Sequence, residues 1–104
     1  MKATDFYSSA DQARELGLKL GDTIQGRQEV GDGWVESRIT LLWLGMTQTV
    51  WIVSGRTHLS RFEGGWSCPH ESVSWDLHTR DWERIKTPPE HAAYLATLGE
   101  AGQP

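Results

Sequence analysis

Cysteine is almost missing from this chain: Cys68 is its one thiol in 104 residues. A lone cysteine excludes an internal disulfide framework and fits a reducing cytoplasm. Long apolar runs are missing as well. None approaches the roughly 20 residues of a membrane-spanning helix, and the opening residues MKATDFYSSADQ hold no apolar signal core. The expectation is a cytoplasmic chain that avoids membranes. Lysine is scarce, with Lys2, Lys19 and Lys86 only, and no Lys/Arg run occurs. The formal charge of -4 argues against binding duplex nucleic acid by neutralising phosphates. Residues 57–104 carry four basic against seven acidic side chains, which disfavours a nucleic-acid surface there too. No P-loop, no HExxH pair and no nucleophile elbow is present.

What the chain does have is tryptophan and arginine. There are six Trp (34, 43, 51, 66, 75 and 82) against two Phe and two Tyr, and seven Arg against three Lys. Trp and Arg dominate binding hot spots, both stack on flat π systems, and Arg grips phosphate in a fork. In a small β domain Trp also serves as bulky core filler. At 11.7 kDa the chain makes one domain with one core.

Three segments follow from the pattern: an N-terminal helical segment (1–19), a small β domain (20–86), and a C-terminal helix with its tail (87–104). Ser9 with Gln12 reads as a capping box and Gly17 as the residue just past the helix end. A strand is expected near Thr23–Gln28, then a turn at Gly31-Asp32-Gly33. Trp34–Leu44 and Thr47–Gly55 read as a hairpin closed by a two-residue turn at Gly45-Met46. That turn sets Thr40 against Trp51 and Arg38 against Val53. Residues 56–71 read as a long connection, the length at which loops are functional or disordered. Ser72–His78 reads as a strand with Val73, Trp75 and Leu77 inward, and Trp82–Ile85 as a last short strand. Thr87, Pro88 and Glu90 open a helix that runs to about Leu98, with Gly99 as its end.

Alternation then assigns a core of Ile24, Val35, Ile39, Leu41, Trp43, Val50, Ile52, Val73, Trp75, Leu77 and Ile85. The opposite hairpin face carries Trp34, Glu36, Arg38, Thr40, Leu42, Leu44, Thr49, Trp51 and Val53. It is half apolar, so something covers it: a terminal helix, a ligand or a second copy. Leu42, Leu44, Trp51 and Val53 are the expected interface of a two-fold homo-oligomer.

Five strands with a central hairpin and a tight turn before the last one resemble an SH3-like small β-barrel over residues 20–86. The start Leu20-Gly21-Asp22-Thr23-Ile24, the hairpin residues 34–45 and the end Trp75-Asp76-Leu77 with Trp82-Glu83 also resemble a family of small phage-encoded proteins of unknown function. The resemblance implies a mainly β fold, an SH3-like five-stranded barrel with short N-terminal and C-terminal helices. It carries no catalytic motif. By analogy it implies a phage accessory protein acting in counter-defence, in the host cytoplasm, as a sponge for a small nucleotide-derived immune signal.

Five readings compete for the remaining residues. His58, Cys68, His70 and His78 lack the paired spacing of a zinc site. Asp76, His78, Asp81 and Glu83 read as a solvated face, and Cys68 has no base partner in sequence, so no catalytic residue, metal or cofactor is expected. Single-stranded nucleic acid on exposed aromatics is one alternative. A protein–protein interaction module binding a host or phage protein is another. The expectation that uses the residues best is a small anionic nucleotide ligand at the hairpin edge. Arg38, Arg56 and Arg61 would take phosphates, Trp66 would stack on a base, and the 56–71 loop would close over both.

Overall fold

Two periodicities, two along strands and 3.6 along helices, decide where each side chain of this fold goes. The computed structural model describes residues 8–101. They form α1 (Ser9–Glu15), β1 (Thr23–Val30), β2 (Gly33–Leu44), β3 (Thr49–Leu59), β4 (Phe62–Glu63), β5 (His70–Val73), a single 3-10 turn (Leu77–Thr79), β6 (Trp82–Ile85) and α2 (Pro89–Ala101). The fold is mainly β: one antiparallel six-stranded sheet with two short helices. Strand order is β4-β3-β2-β1-β6, and β5 pairs the other part of the outer edge of β3.

The sheet does not close into a barrel. The expected fourth strand ends early: after β5 the chain takes a positive φ at Ser74 (58°), and Asp76 caps the 3-10 turn instead of continuing the strand. The expected long connection, in turn, is largely paired. β3 continues through Arg56 to Leu59, and β4 folds back on it. Residues 64–67 are pinned alongside β3 by Gly64 N–H to Thr57 O (3.0 Å) and Ser67 N–H to Gly55 O (2.8 Å). A segment tied this way is not a free lid.

α1 begins one residue earlier than expected. Ser8 is the cap, its hydroxyl accepting from Asp11 N–H, and Asp11 completes the box where Gln12 was expected. Gln12 is buried and accepts Leu77 N–H (2.5 Å). Gly17 ends the helix as read from sequence. Its φ of 72° lets Leu18 N–H reach Ala13 O and Gly17 N–H reach Arg14 O, the Schellman arrangement. That turn drops Leu18 beside Ala13 in the core.

The hairpin register differs from the expected one, with large consequences. The turn is one residue further on, with Gly45 N–H bonded to Gln48 O and Leu44 opposite Thr49. β2 then bulges between Leu41 and Trp43. A bulge adds one residue to one strand, and a one-residue slip moves every later side chain to the other face. Leu41 therefore faces Trp51 and Ile39 faces Val53, while Thr40 faces Ile52. The core on the α1 side is Ala13, Leu18, Ile24, Ile39, Leu41, Trp51, Val53 and Leu77.

Ile24, Ile39, Leu41, Ile52 and Leu77 are buried as expected, although Ile52 lies on the opposite face. Trp43 (51% exposed) and Val73 (57% exposed) are not core residues, and Val35, Val50, Trp75 and Ile85 are only half-buried. Trp51 and Val53 move the other way, from the expected oligomer surface into the core, where Trp51 is fully buried and its Nε1–H meets Thr49 Oγ1 (2.7 Å). They offer no surface to a second copy. Leu42 and Leu44 are half-buried.

The half-apolar second face is covered in part by α2. That helix starts at Pro89, one residue later than expected, and continues through Gly99 to Ala101. Thr87 is not its cap, because its hydroxyl is used against Gly21 O.

The bulged register is directly testable. Trp51→Ala should destabilise the protein by about 3–5 kcal/mol, the cost of emptying a large core site. Trp43→Ser should cost about 1 kcal/mol or less, as a surface change does. Denaturant melts of the two variants check the pair, and the unbulged register requires the reverse ranking.

Candidate functional site

On the α2 side of the sheet, alternate residues of β1, β2 and β3 stand side by side in three rows. Gln25, Arg38 and Ser54 make the first, Arg27, Glu36 and Arg56 the second, and Glu29, Trp34 and His58 the third. The middle row is organised by Glu36, whose side chain is 7% exposed. Its Oε1 accepts from Arg56 (2.7 Å to Nη2, 2.8 Å to Nε). Its Oε2 accepts from Gln25 Nε2 (3.0 Å) and faces Arg27 Nη2 at 3.6 Å. A nearly buried carboxylate needs such partners. Gln25 passes the chain on, its Oε1 accepting from Arg38 Nε (2.9 Å).

Two tryptophans interleave with these arginines. The Arg38 guanidinium lies 3.7 Å from the Trp66 ring centre, and that of Arg56 lies 4.9 Å from it. Arg27 sits 3.9 Å and Arg56 5.4 Å from the Trp34 ring, and Trp34 stacks on His58 (5.3 Å, 17°). These are cation–π distances. Arg56 thus bridges Trp34 and Trp66. The three rows carry three guanidinium groups against the carboxylates of Glu36 and Glu29, an excess of one positive charge on a chain of net charge -4. Arg38 makes no ion pair among the described residues.

Of the four residues singled out from sequence, three converge: Arg38, Arg56 and Trp66. Arg61 does not join them. It is exposed in the turn between β3 and β4, beyond Leu59, which puts it about 10 Å or more from Arg56 at about 3.3 Å per strand residue. Trp66 is not an open platform either, because Arg38 occupies one side of its ring. A hollow of about 140 Å³ adjoins the pair, lined by Arg38, Ser54, Trp66, Ser67, Cys68, Pro69 and Glu90. That volume holds a phosphate or a carboxylate but is below the roughly 300 Å³ of a small-molecule pocket. A nucleotide-sized ligand would lie across the open rows and send one charged group inward. Sequence reasoning missed Glu36 and Gln25 as organisers. Alternation on β2 was the available signal, since it puts Trp34, Glu36 and Arg38 on one face.

Beside the rows, α2 is fixed to the sheet by a polar chain. Thr87 Oγ1–H donates to Gly21 O (3.1 Å) and Thr23 Oγ1–H donates to Thr87 Oγ1 (3.0 Å). Each hydroxyl has one proton, so Thr23 accepts from Thr40 (2.7 Å), and Thr40 accepts from His91 Nδ1–H (2.6 Å). His91 Nε2 is then bare and accepts the Ser54 hydroxyl (2.6 Å). The proton count puts a hydrogen on Nδ1, and burial, by favouring the neutral ring, leaves Nε2 as the acceptor. Burial pushes the imidazole below its usual value of 6.5, Arg38 adds to that, and Glu90 opposes it. The histidine is fully buried, so the Ser54–His91 pair serves as a fastening. Tyr94 extends the attachment, its hydroxyl donating to Glu71 Oε2 (3.0 Å).

No protein-family model, curated protein or solved structure matches this chain.

The histidine fastening gives stability a pH dependence of known sign. Because the folded value lies below the unfolded one, the unfolded state binds more protons between the two, and stability falls as pH drops through that window. Unfolding free energy should be level above about 7 and decline from about 6.5 downward. His91→Gln should lose about 2 kcal/mol at neutral pH from unsatisfied buried hydroxyls and should flatten this slope. Urea melts from pH 5 to 8 read both effects, and an unchanged slope in the variant would discard the assignment.

Proposed function

We propose that the arginine–tryptophan rows bind a small anionic ligand carrying a flat base, and hold it without turnover. The observation that supports this most is the convergence of Arg38, Arg56 and Trp66 around an excess of positive charge. Arg38 makes no ion pair among the described residues, and it lines a phosphate-sized hollow that Glu90 also borders. Charge-assisted forks from Arg to phosphate and stacking on Trp are the interactions such a ligand uses. Glu36 is part of this reading. By holding Arg56 and Arg27 in place, it reduces the side-chain freedom lost on binding. Trp34, beside Arg27 and Arg56, supplies a second ring for a ligand longer than one nucleotide.

The resemblance to small phage-encoded proteins gives this chemistry a biological setting. The ligand would be a nucleotide-derived immune signal, and the role would be counter-defence by sequestration in the host cytoplasm. Arg61, distant from the rows, is left outside the site.

Calorimetric titration with cyclic di- and trinucleotides and cyclic ADP-ribose isomers tests the proposal. At least one should bind and be recovered chemically unchanged. Arg38→Ala and Trp66→Ala should each weaken it by about tenfold or more, about 1.4 kcal/mol, and Arg61→Ala by less than about twofold. Absence of binding, or variants that bind like the wild type, would remove the site. Binding of an oligothymidylate with a steep salt dependence would instead favour single-stranded nucleic acid.

A further inference from the structure

On the opposite face of the sheet, Arg80 forms no ion pair among the described residues. It follows the 3-10 turn in extended backbone and inserts its side chain between Trp75 and Trp82 (5.6 and 5.2 Å from the two ring centres). The two rings meet edge to face (6.1 Å, 76°). Gly26 makes the room, because a Cβ there would lie 2.7 Å from Arg80 Cδ and 2.9 Å from the Trp82 ring. Nη1 donates to Ser37 Oγ (3.1 Å) and, over 3.3 Å, to Gly26 O, while Nη2 donates to Gln28 Oε1 (2.9 Å). All three acceptors are neutral. Nε is buried with no partner. A cation taken partly out of water against neutral groups alone is under-compensated.

The same arginine lines a hollow of about 520 Å³ between the end of α1, the 3-10 turn and the start of β6. That is the size of a small-molecule site. Its apolar walls are Leu16, Leu77 and Trp82, and Leu16 is 47% exposed. Glu15 and Asp81 stand exposed at the rim. Attraction to Arg80 doubles for a dianion, but its cost of leaving water grows as the square of its charge, so walls this apolar favour a single charge over a phosphate ester. With both Nη1 hydrogens and one on Nη2 used within the chain, the second Nη2 hydrogen is the donor that a carboxylate would take.

We propose that this cleft binds a small monocarboxylate with an aromatic or branched apolar body. The carboxylate pairs with the Arg80 guanidinium and the body packs against Leu16, Leu77 and Trp82. Trp82 is fixed for that role, its Nε1–H being bonded to Leu77 O (3.0 Å). The site is independent of the Arg38–Trp66 rows.

Amide and indole proton–nitrogen spectra of the whole chain, titrated with 3-phenylpropionate, test it. The Trp82 indole signal should shift saturably, with a dissociation constant of about 1 mM or tighter. 3-Phenylpropionamide and phenyl phosphate should be at least about tenfold weaker, since one lacks the charge and the other costs far more to take out of water. A tripeptide ending in phenylalanine, with free or amidated C-terminus, tells whether a protein C-terminus serves as the same carboxylate. Arg80→Gln should abolish the shift. Because that variant removes internal bonds as well, Leu16→Glu, an exposed change at the rim, supplies a second check and should weaken 3-phenylpropionate by about threefold or more. Equal binding of the amide, tighter binding of phenyl phosphate, shifts at Trp66 without Trp82, or no saturable shift would each overturn the assignment.

Discussion

One extra residue in β2 sets the facing of the whole hairpin. With the bulge between Leu41 and Trp43, Trp51 and Val53 point at α1 and complete the apolar side of the sheet. Ile52 and Ser54 then point at α2, next to Thr40 and His91. Without the bulge, two large apolar side chains of β3 would enter the layer where the polar chain now runs. Neither layer could form as it stands: α1 would lose its largest packing partner, and His91 would lose Ser54. The arginine rows depend on the same register, because it sets Arg56 beside Glu36 and Ser54 beside Arg38.

The two faces are held by different physics. The α1 side is an apolar core sealed by a capped helix whose Schellman turn delivers Leu18. The α2 side is fastened by a relay of hydroxyls ending in a neutral imidazole. Hydrogen bonds fix direction and register where apolar packing is tolerant. α2 therefore covers Thr40, Ile52 and Ser54 and leaves the rows from Arg38 to Trp34 uncovered.

Much of this was legible in the sequence. Gly17 read correctly because only a residue at ease with positive φ ends a helix that way. The mainly β fold, the central hairpin and the two helices followed from alternation and from cap and turn residues. Arg38, Arg56 and Trp66 could be grouped from sequence because strand alternation puts Arg38 on the outer face and Trp66 stands beside Gly64-Gly65 in the segment that follows Arg56. The bulge was not legible: nothing in Thr40-Leu41-Leu42-Trp43 distinguishes a bulged strand from a regular one. That one omission reversed the facing of β3 and sent Trp51 and Val53 to the wrong side. β4 was missed because two residues show no periodicity. Arg80 was missed because its burial depends on Gly26 and Ser37, 54 and 43 positions away.

An open sheet has rims, and the rims of this one are brief. β6 at one side is four residues long, and on the other β5 and β4, four and two residues, divide the flank of β3 between them. β1 outlasts β6, which pairs only its first half, and the remainder, Arg27–Val30, carries Arg27 and Glu29. Short, charged or divided borders give an extended foreign strand little to register against. The chain can thus leave its sheet unclosed, with a helix on each side, and still discourage the backbone-to-backbone stacking by which β proteins aggregate.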